Sequence, residues 1–296
     1  MSLDLRKKRI QYLVDNWSME KRHDLMARFK IPEILNKEFL MAVKLYISKA
    51  LNFTYVENEE EFIKLVDNNR ENRKNITPNG AVVPKREFQL EYNLVMRNWG
   101  AIVRSFIRDK TDKLLIRTTP NIRIKFGAEL EDNIKRDLNT SKPHSDAWVE
   151  GAWGMNCYLP LLGDVKNNTL KFYEPINFKE EYLAHASTYD KMSWVLDHYK
   201  EIDYIPDPGY VYLSDYALIH NTERKNNCGT RISIDTTIWQ GDHQPLDDRK
   251  KEYQNTIPNI GVEEYIDAGQ YEDQKFAEKL SVYSHYTSAT MKRIKL

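Results

Sequence analysis

The chain has 296 residues, 41% of them hydrophobic, enough to bury one large core or two modest ones. Lys plus Arg and Asp plus Glu both number 44, so the formal net charge is zero, which disfavours a nucleic-acid partner gripped through its phosphates. No apolar run approaches the roughly 18 residues of a membrane span, and Cys157 and Cys228 are too few for a disulfide framework, so a reducing, cytoplasmic setting is expected.

The amino terminus opens on Arg6-Lys7-Lys8-Arg9 and mixed polar sequence, unlike the apolar stretch of a signal peptide. Residues 1–112 read as a helical region packed on the rest of the chain. Leu35, Phe39, Val43, Tyr46 and Ala50 form one apolar stripe at spacings of three and four. Phe88, Tyr92, Val95, Trp99, Ile102 and Phe106 form a second, whose aromatics read as core. Between the two stripes a polar stretch ends in Thr77-Pro78-Asn79-Gly80, a turn signature.

From residue 113 the pattern changes to short strands. In 121–126, Ile122, Ile124 and Phe126 alternate with Arg123 and Lys125, the mark of a half-buried strand, and further strands are expected at 114–117, 153–162, 169–173, 209–214, 217–221 and 230–239. The class is therefore mainly β with helical flanks, a sandwich or jelly-roll core over 113–240. A helical insert interrupts it near 179–199, and 241–296 forms a C-terminal extension of the same domain, packed outside the barrel.

Lys142-Pro143-His144-Ser145-Asp146 contains a His-x-Asp triplet, and in an extended chain residues i and i+2 share a face, so imidazole and carboxylate can reach one metal. Alone the triplet is weak, since about one such pairing arises by chance in this composition. His220 follows at the end of the apolar run 210–219, where a buried imidazole needs a partner. In the strand 230–239, Ile232, Ile234 and Ile238 take one face and Arg231, Ser233, Asp235 and Thr237 the other. A hairpin is expected to return this strand beside the one that carries His220, so that Arg231 and Ser233 face the same cavity as a fork and hydroxyl suited to a carboxylate.

His144-x-Asp146, His220 and Arg231-x-Ser233, in that order, resemble the iron(II)/2-oxoglutarate dioxygenase superfamily on its double-stranded β-helix (a cupin-like jelly roll). The flank Gly154-Met155-Asn156-Cys157-Tyr158-Leu159-Pro160-Leu161 is most similar to its phytanoyl-CoA-hydroxylase-like and streptomycin-biosynthesis-type branches. The resemblance covers about residues 114–240. It implies Fe(II) on His144, Asp146 and His220, 2-oxoglutarate as cosubstrate with its distal carboxylate on Arg231 and Ser233, and dioxygen at the remaining position. It also implies a small-molecule substrate, hydroxylated with release of succinate and CO2. A dication, one ligating carboxylate and a dianionic cosubstrate sum to one excess negative charge, which a nearby arginine neutralises. Asp146 argues against a halogenase, whose family pattern has a small residue there.

Asn156 and Tyr158 share a strand face and are placed against 2-oxoglutarate or substrate, with Trp153, Met155 and Cys157 on the other face. Arg123 and Lys125 are expected at the surface in preference to a substrate site, and Trp148 and Trp239 as core beside the site. His23, His185, His198, His243 and His285 have no spacing that favours metal. Two competing readings are a non-catalytic metal-binding jelly roll for a sugar or peptide ligand, and a hydroxylase of protein or nucleic acid.

Overall fold

The computed structural model describes residues 2–83, 85–107, 114–117, 120–128, 139–152, 154–240 and 259–261. Expectations for Trp153, the Trp239 side chain and nearly all of 241–296 fall outside the described residues.

The N-terminal part contains α1 (Leu3–Asn16), β1 (Glu20–His23), β2 (Met26–Lys30), α2 (Glu33–Leu51), α3 (Glu59–Asn68) and α4 (Gln89–Phe106). Both apolar stripes fall on helices, α2 and α4, as their spacing predicts. The expected turn is present too, with Gly80 N donating to Thr77 O at 2.8 Å and Gly80 at φ 88°, a conformation glycine adopts without strain. The expectation of helix throughout this region is corrected by the β1–β2 hairpin, which joins the large sheet through β2 and β8. Among the described residues no helix is long and apolar enough to cross a membrane.

The remaining strands are β3 (Leu114–Arg117), β4 (Asn121–Lys125), β5 (Gly154–Gly163), β6 (Asn168–Pro175), β7 (Tyr199–Ile202), β8 (Tyr210–Asp215), β9 (Ile219–Arg224), β10 (Arg231–Gln240) and β11 (Asn259–Gly261), with the short helix α5 (Ala147–Glu150) before β5. The large sheet runs β1-β2-β8-β5-β10, with β4 and β3 sharing the far edge of β10 and β11 beyond β3. The small sheet runs β7-β6-β9, and a bridge between His144 and His220 adds the segment at 144 to its other edge. The chain thus passes from β4 in the large sheet to 144 in the small one, then β5 large, β6 and β7 small, β8 large, β9 small and β10 large. That alternation, with rows β4-β10-β5-β8 and 144-β9-β6-β7, is a double-stranded β-helix. The strand β10 pairs with β5, β4 and β3 but not with β9, so the segment 225–230 is a crossover between sheets and the expected 220/231 hairpin is not formed. The expected insert is two 3₁₀ segments, Glu180–Leu183 and Tyr189–His198.

Side chains on the outer face of the large sheet (Cys157, Leu159, Leu213, Ile232, Ile234 and Ile238) merge with Phe39, Val43 and Tyr46 of α2 and Tyr92, Val95, Trp99 and Ile102 of α4 in one buried cluster. Full burial of each such side chain contributes about 1.5–3 kcal/mol, so helices and sheet stabilise one another and the opposite face of the sheet is left to line the interior of the barrel.

The basic start of the chain has a structural use. Arg6 Nη1 donates to Asp215 Oδ1 at 2.8 Å and Nη2 to Ala152 O at 2.8 Å, while Arg9 pairs with the other Asp215 oxygen and reaches Gly154 O at 3.2 Å. All three side chains are buried. Burial alone would raise the Asp215 carboxyl, but Arg9 and Arg6 outweigh it and hold the group below the usual carboxylate range. A depressed carboxylate stabilises the fold above its unfolded value near ~3.9, and that contribution is lost as pH falls below it. Asp215→Asn leaves two buried guanidinium groups short of their counter-charge and is expected to cost about 3–5 kcal/mol in urea denaturation at pH 7. The gap between variant and wild type should narrow as pH drops below about 4.

Candidate metal centre

Between the sheets lies a cavity of about 400 Å³, its open mouth included, lined by residues of both. The small sheet contributes His144, Leu170, His220 and Thr222, and the large sheet Arg123, Lys125, Asn156, Tyr158, Arg231, Ser233 and Asp235, with Asp146 where the chain leaves one sheet for the other.

His144 and His220 face each other across the edge of the small sheet, each backbone N donating to the other's O at 2.9 Å. Directly after His144 the chain turns. Ser145 Oγ donates to Tyr216 O at 2.6 Å and accepts from Ala147 N at 3.1 Å, and Asp146 has helical angles (φ −62°, ψ −21°) as the residue that opens α5. Asp146 therefore meets His144 through a turn into a helix, which corrects the shared-face argument from an extended chain. His144, Asp146 and His220 each offer an atom able to ligate a metal, and these atoms lie within 4.8 Å of one another. His144 Nε2 is 3.7 Å from Asp146 Oδ1 and His220 Nε2 is 4.0 Å from Asp146 Oδ2.

His144 Nδ1 lies 2.7 Å from Lys142 O. A carbonyl only accepts, so Nδ1 carries the hydrogen and Nε2 keeps its lone pair toward the triad. Burial first, and then the neighbouring His220, press the His144 imidazole well below its ordinary value, so it is neutral at pH 7. A neutral imidazole with Nδ1 anchored is the form that ligates a metal.

Asn156 lines the cavity, and its Nδ2 donates to Asp146 Oδ2 at 2.9 Å, linking β5 to the carboxylate of the triad. Tyr158, Arg231 and Ser233 are all buried in the cavity wall, with the Arg231 guanidinium 5.8 Å from the centre of the Tyr158 ring. Burial raises the Tyr158 phenol, with Arg231 and Ser233 opposing it. Among the described residues the Arg231 Nε and Nη1 are enclosed without a hydrogen-bond partner. A β-bulge in the β10–β5 pairing falls between Ile232 and Ser233 and re-aims the strand beside the cavity.

Lys125 and Arg123 were expected at the surface, and both instead line the cavity. Lys125 is buried opposite Arg231 in the β4–β10 register and donates to Thr140 Oγ1 at 3.4 Å and Ser141 Oγ at 3.3 Å. Arg123 pairs with Asp235. The period-2 pattern of 121–126 contained this signal, but an inward polar face and a solvated one look alike in sequence. Trp148 packs as core, its Nε1 donating to Tyr182 O at 2.7 Å, and Cys157 lies under the helices, where burial raises its thiol.

No protein-family model matches the chain, and no curated protein sequence matches it. Among solved structures it is similar to the non-haem α-ketoglutarate-dependent carbocyclase SnoK from nogalamycin biosynthesis, at 11% identity and TM-score 0.39 over 73% of this chain and 80% of that one. It is also similar to AviO1 from Streptomyces viridochromogenes Tue57, at 11% identity and TM-score 0.45 over 80% of this chain and 98% of that one. A third is an N-substituted L-amino acid dioxygenase from Burkholderia ambifaria AMMD, at 12% identity and TM-score 0.40 over 78% and 86%. The fold assignment rests on the strand order of this chain.

Asn156→Ala removes the amide donor from Asp146 and is expected to weaken divalent-metal binding about 10–100-fold, as loss of a ligand-orienting partner does elsewhere. Anaerobic calorimetric titration with Fe(II) reads the change, and an unaltered affinity would show that the Asn156–Asp146 bond is idle.

Proposed function

We propose that the protein is an Fe(II)- and 2-oxoglutarate-dependent oxygenase acting on a small-molecule substrate, most simply by hydroxylation with release of succinate and CO2. The observation that carries this reading is a buried guanidinium whose Nε and Nη1 meet no hydrogen-bond partner among the described residues, in the same cavity as a His-Asp-His cluster. An enclosed donor without a partner is costly, and a charged one more so, unless a bound anion completes it.

The residues fit the roles in turn. Two imidazoles and one carboxylate on one side of a metal leave adjacent positions open, the facial arrangement suited to non-haem Fe(II) oxygen chemistry. Arg231 and Ser233 would hold the distal carboxylate of 2-oxoglutarate, with the Tyr158 hydroxyl and the Lys125 ammonium in the same wall. His144 would stay fixed in its Nδ1–H form by Lys142 O, and Asn156 would orient Asp146. When bound, the iron and cosubstrate supply the oxidising power to cleave an unactivated C–H bond.

Anaerobic addition of Fe(II) and 2-oxoglutarate should give the visible metal-to-ligand charge-transfer absorption of the chelate, and His144→Ala or His220→Ala should abolish it. Arg231→Lys keeps the charge but loses the fork and should weaken 2-oxoglutarate binding at least ~10-fold, with Fe(II) affinity unchanged. Wild-type protein that takes up iron but never 2-oxoglutarate would instead support a non-catalytic metal-binding jelly roll.

A further inference from the structure

The insert between β6 and β7 sends one aromatic ring down to the triad. Tyr189 opens the second 3₁₀ segment of that insert and is buried. Its phenol stacks on the His144 imidazole, with centroids 4.4 Å apart and planes 19° from parallel. It also meets the edge of Trp148, at 6.0 Å and 60°. Trp148 belongs to α5, the helix that Asp146 opens, so Tyr189 is wedged between the elements that carry two of the three ligands. The adjacent Asp190 pairs with Lys142 Nζ at 2.7 Å, and Lys142 is the residue whose carbonyl takes the His144 Nδ1 hydrogen.

We propose that Tyr189 is a positioning residue for His144, its ring serving as the wall that sets the imidazole plane so that Nε2 faces Asp146 and His220. The inference rests on the metal-centre reading of the triad. One hydrogen bond at Nδ1 fixes the tautomer of an imidazole but leaves the ring free to swing about that contact, because the torsion to a flat ring is broad. The inner side of His144 is occupied by His220, with ring centroids 4.4 Å apart and planes 57° apart, a tilted approach that does not hold a plane. The near-parallel phenol does hold one, and an offset aromatic pair of this kind adds about 0.5–1.5 kcal/mol beyond simple burial. A metal draws electron density from its imidazole ligand, and a positively polarised ring is held more firmly against the face of a phenol.

The test uses the full chain and compares Tyr189→Phe, which keeps the ring, with Tyr189→Leu, which fills similar space without one. Anaerobic Fe(II) titration should give Y189F within about twofold of wild type and Y189L roughly 10–100-fold weaker, the range seen when a ligand histidine loses its orienting partner. In the metal-free protein, relaxation-dispersion spectra of the ¹³C- and ¹⁵N-labelled His144 imidazole should show one ring orientation in wild type and Y189F, and exchange broadening from ring motion in Y189L, with the Nδ1–H tautomer kept in all three. A folded Y189L with wild-type iron affinity and an unbroadened His144 signal overturns the proposal, and so does a lower Tm with neither readout changed. Should Y189L fail to fold, the slimmer and more adaptable Tyr189→Met carries the same two measurements with the same outcomes. If wild-type protein binds no Fe(II), the proposed function fails, while the metal-free spectra still decide the role of Tyr189.

Discussion

Strand β10 has neighbours on both edges and protein on both faces. Its isoleucines are sealed against α2 and α4, and Arg231, Ser233 and Thr237 on the other side are equally buried. A strand with one apolar face can rest on a core and leave its polar face to water, but here the polar face is enclosed and must find its partners inside. This constraint reaches through the molecule. It requires the helical layer outside, because without it the isoleucines would be wet, and it makes the barrel interior polar. The arginine at the start of β10 is then buried in the cavity wall, away from the protein surface.

The parts legible in the sequence were those fixed by a local period. The stripes of α2 and α4 and the isoleucines of β10 each express a face buried in the core, and the triad and the Arg231/Ser233 pair do line one cavity, though across two sheets and not through the expected hairpin. What was not legible depended on distant partners. Glu20–His23 has no alternation because β1 is an edge strand with little burial on either side, and only the pairing of β2 with β8 draws the hairpin into the sheet. Asp146 does lie beside His144 and His220, but not by the extended backbone expected, since the turn that delivers it depends on Ser145 bonding Tyr216 O, 71 residues away. Lys125 was misplaced because alternation cannot distinguish a cavity from solvent. Tyr189 gave no signal at all, as nothing within its insert points to His144.

The centre is also a joint between sheets. His144 and His220 pair with each other at the margin of the small sheet, while the carboxylate of Asp146 is held by Asn156 of the large one. A cation shared by the three side chains would therefore bridge the two layers of the barrel at its open end. Tyr189 and Trp148 extend that joint outward into the insert, so the geometry of the triad is tied to packing well beyond its three residues.

The buried pairing of Arg6 and Arg9 with Asp215 bears on the order in which the molecule assembles. Arg6 and Asp215 are 209 residues apart in the chain. At ribosomal rates of about 5–20 residues per second, α1 exists for roughly 10–40 seconds before its counter-charge is made. During that interval its two arginines have no buried anion to meet, and docking the helix early would strand two charges in an apolar setting. The buried ion pair of α1 thus cannot form until β8 has been made, and it ties two ends of the described chain that are 209 residues apart.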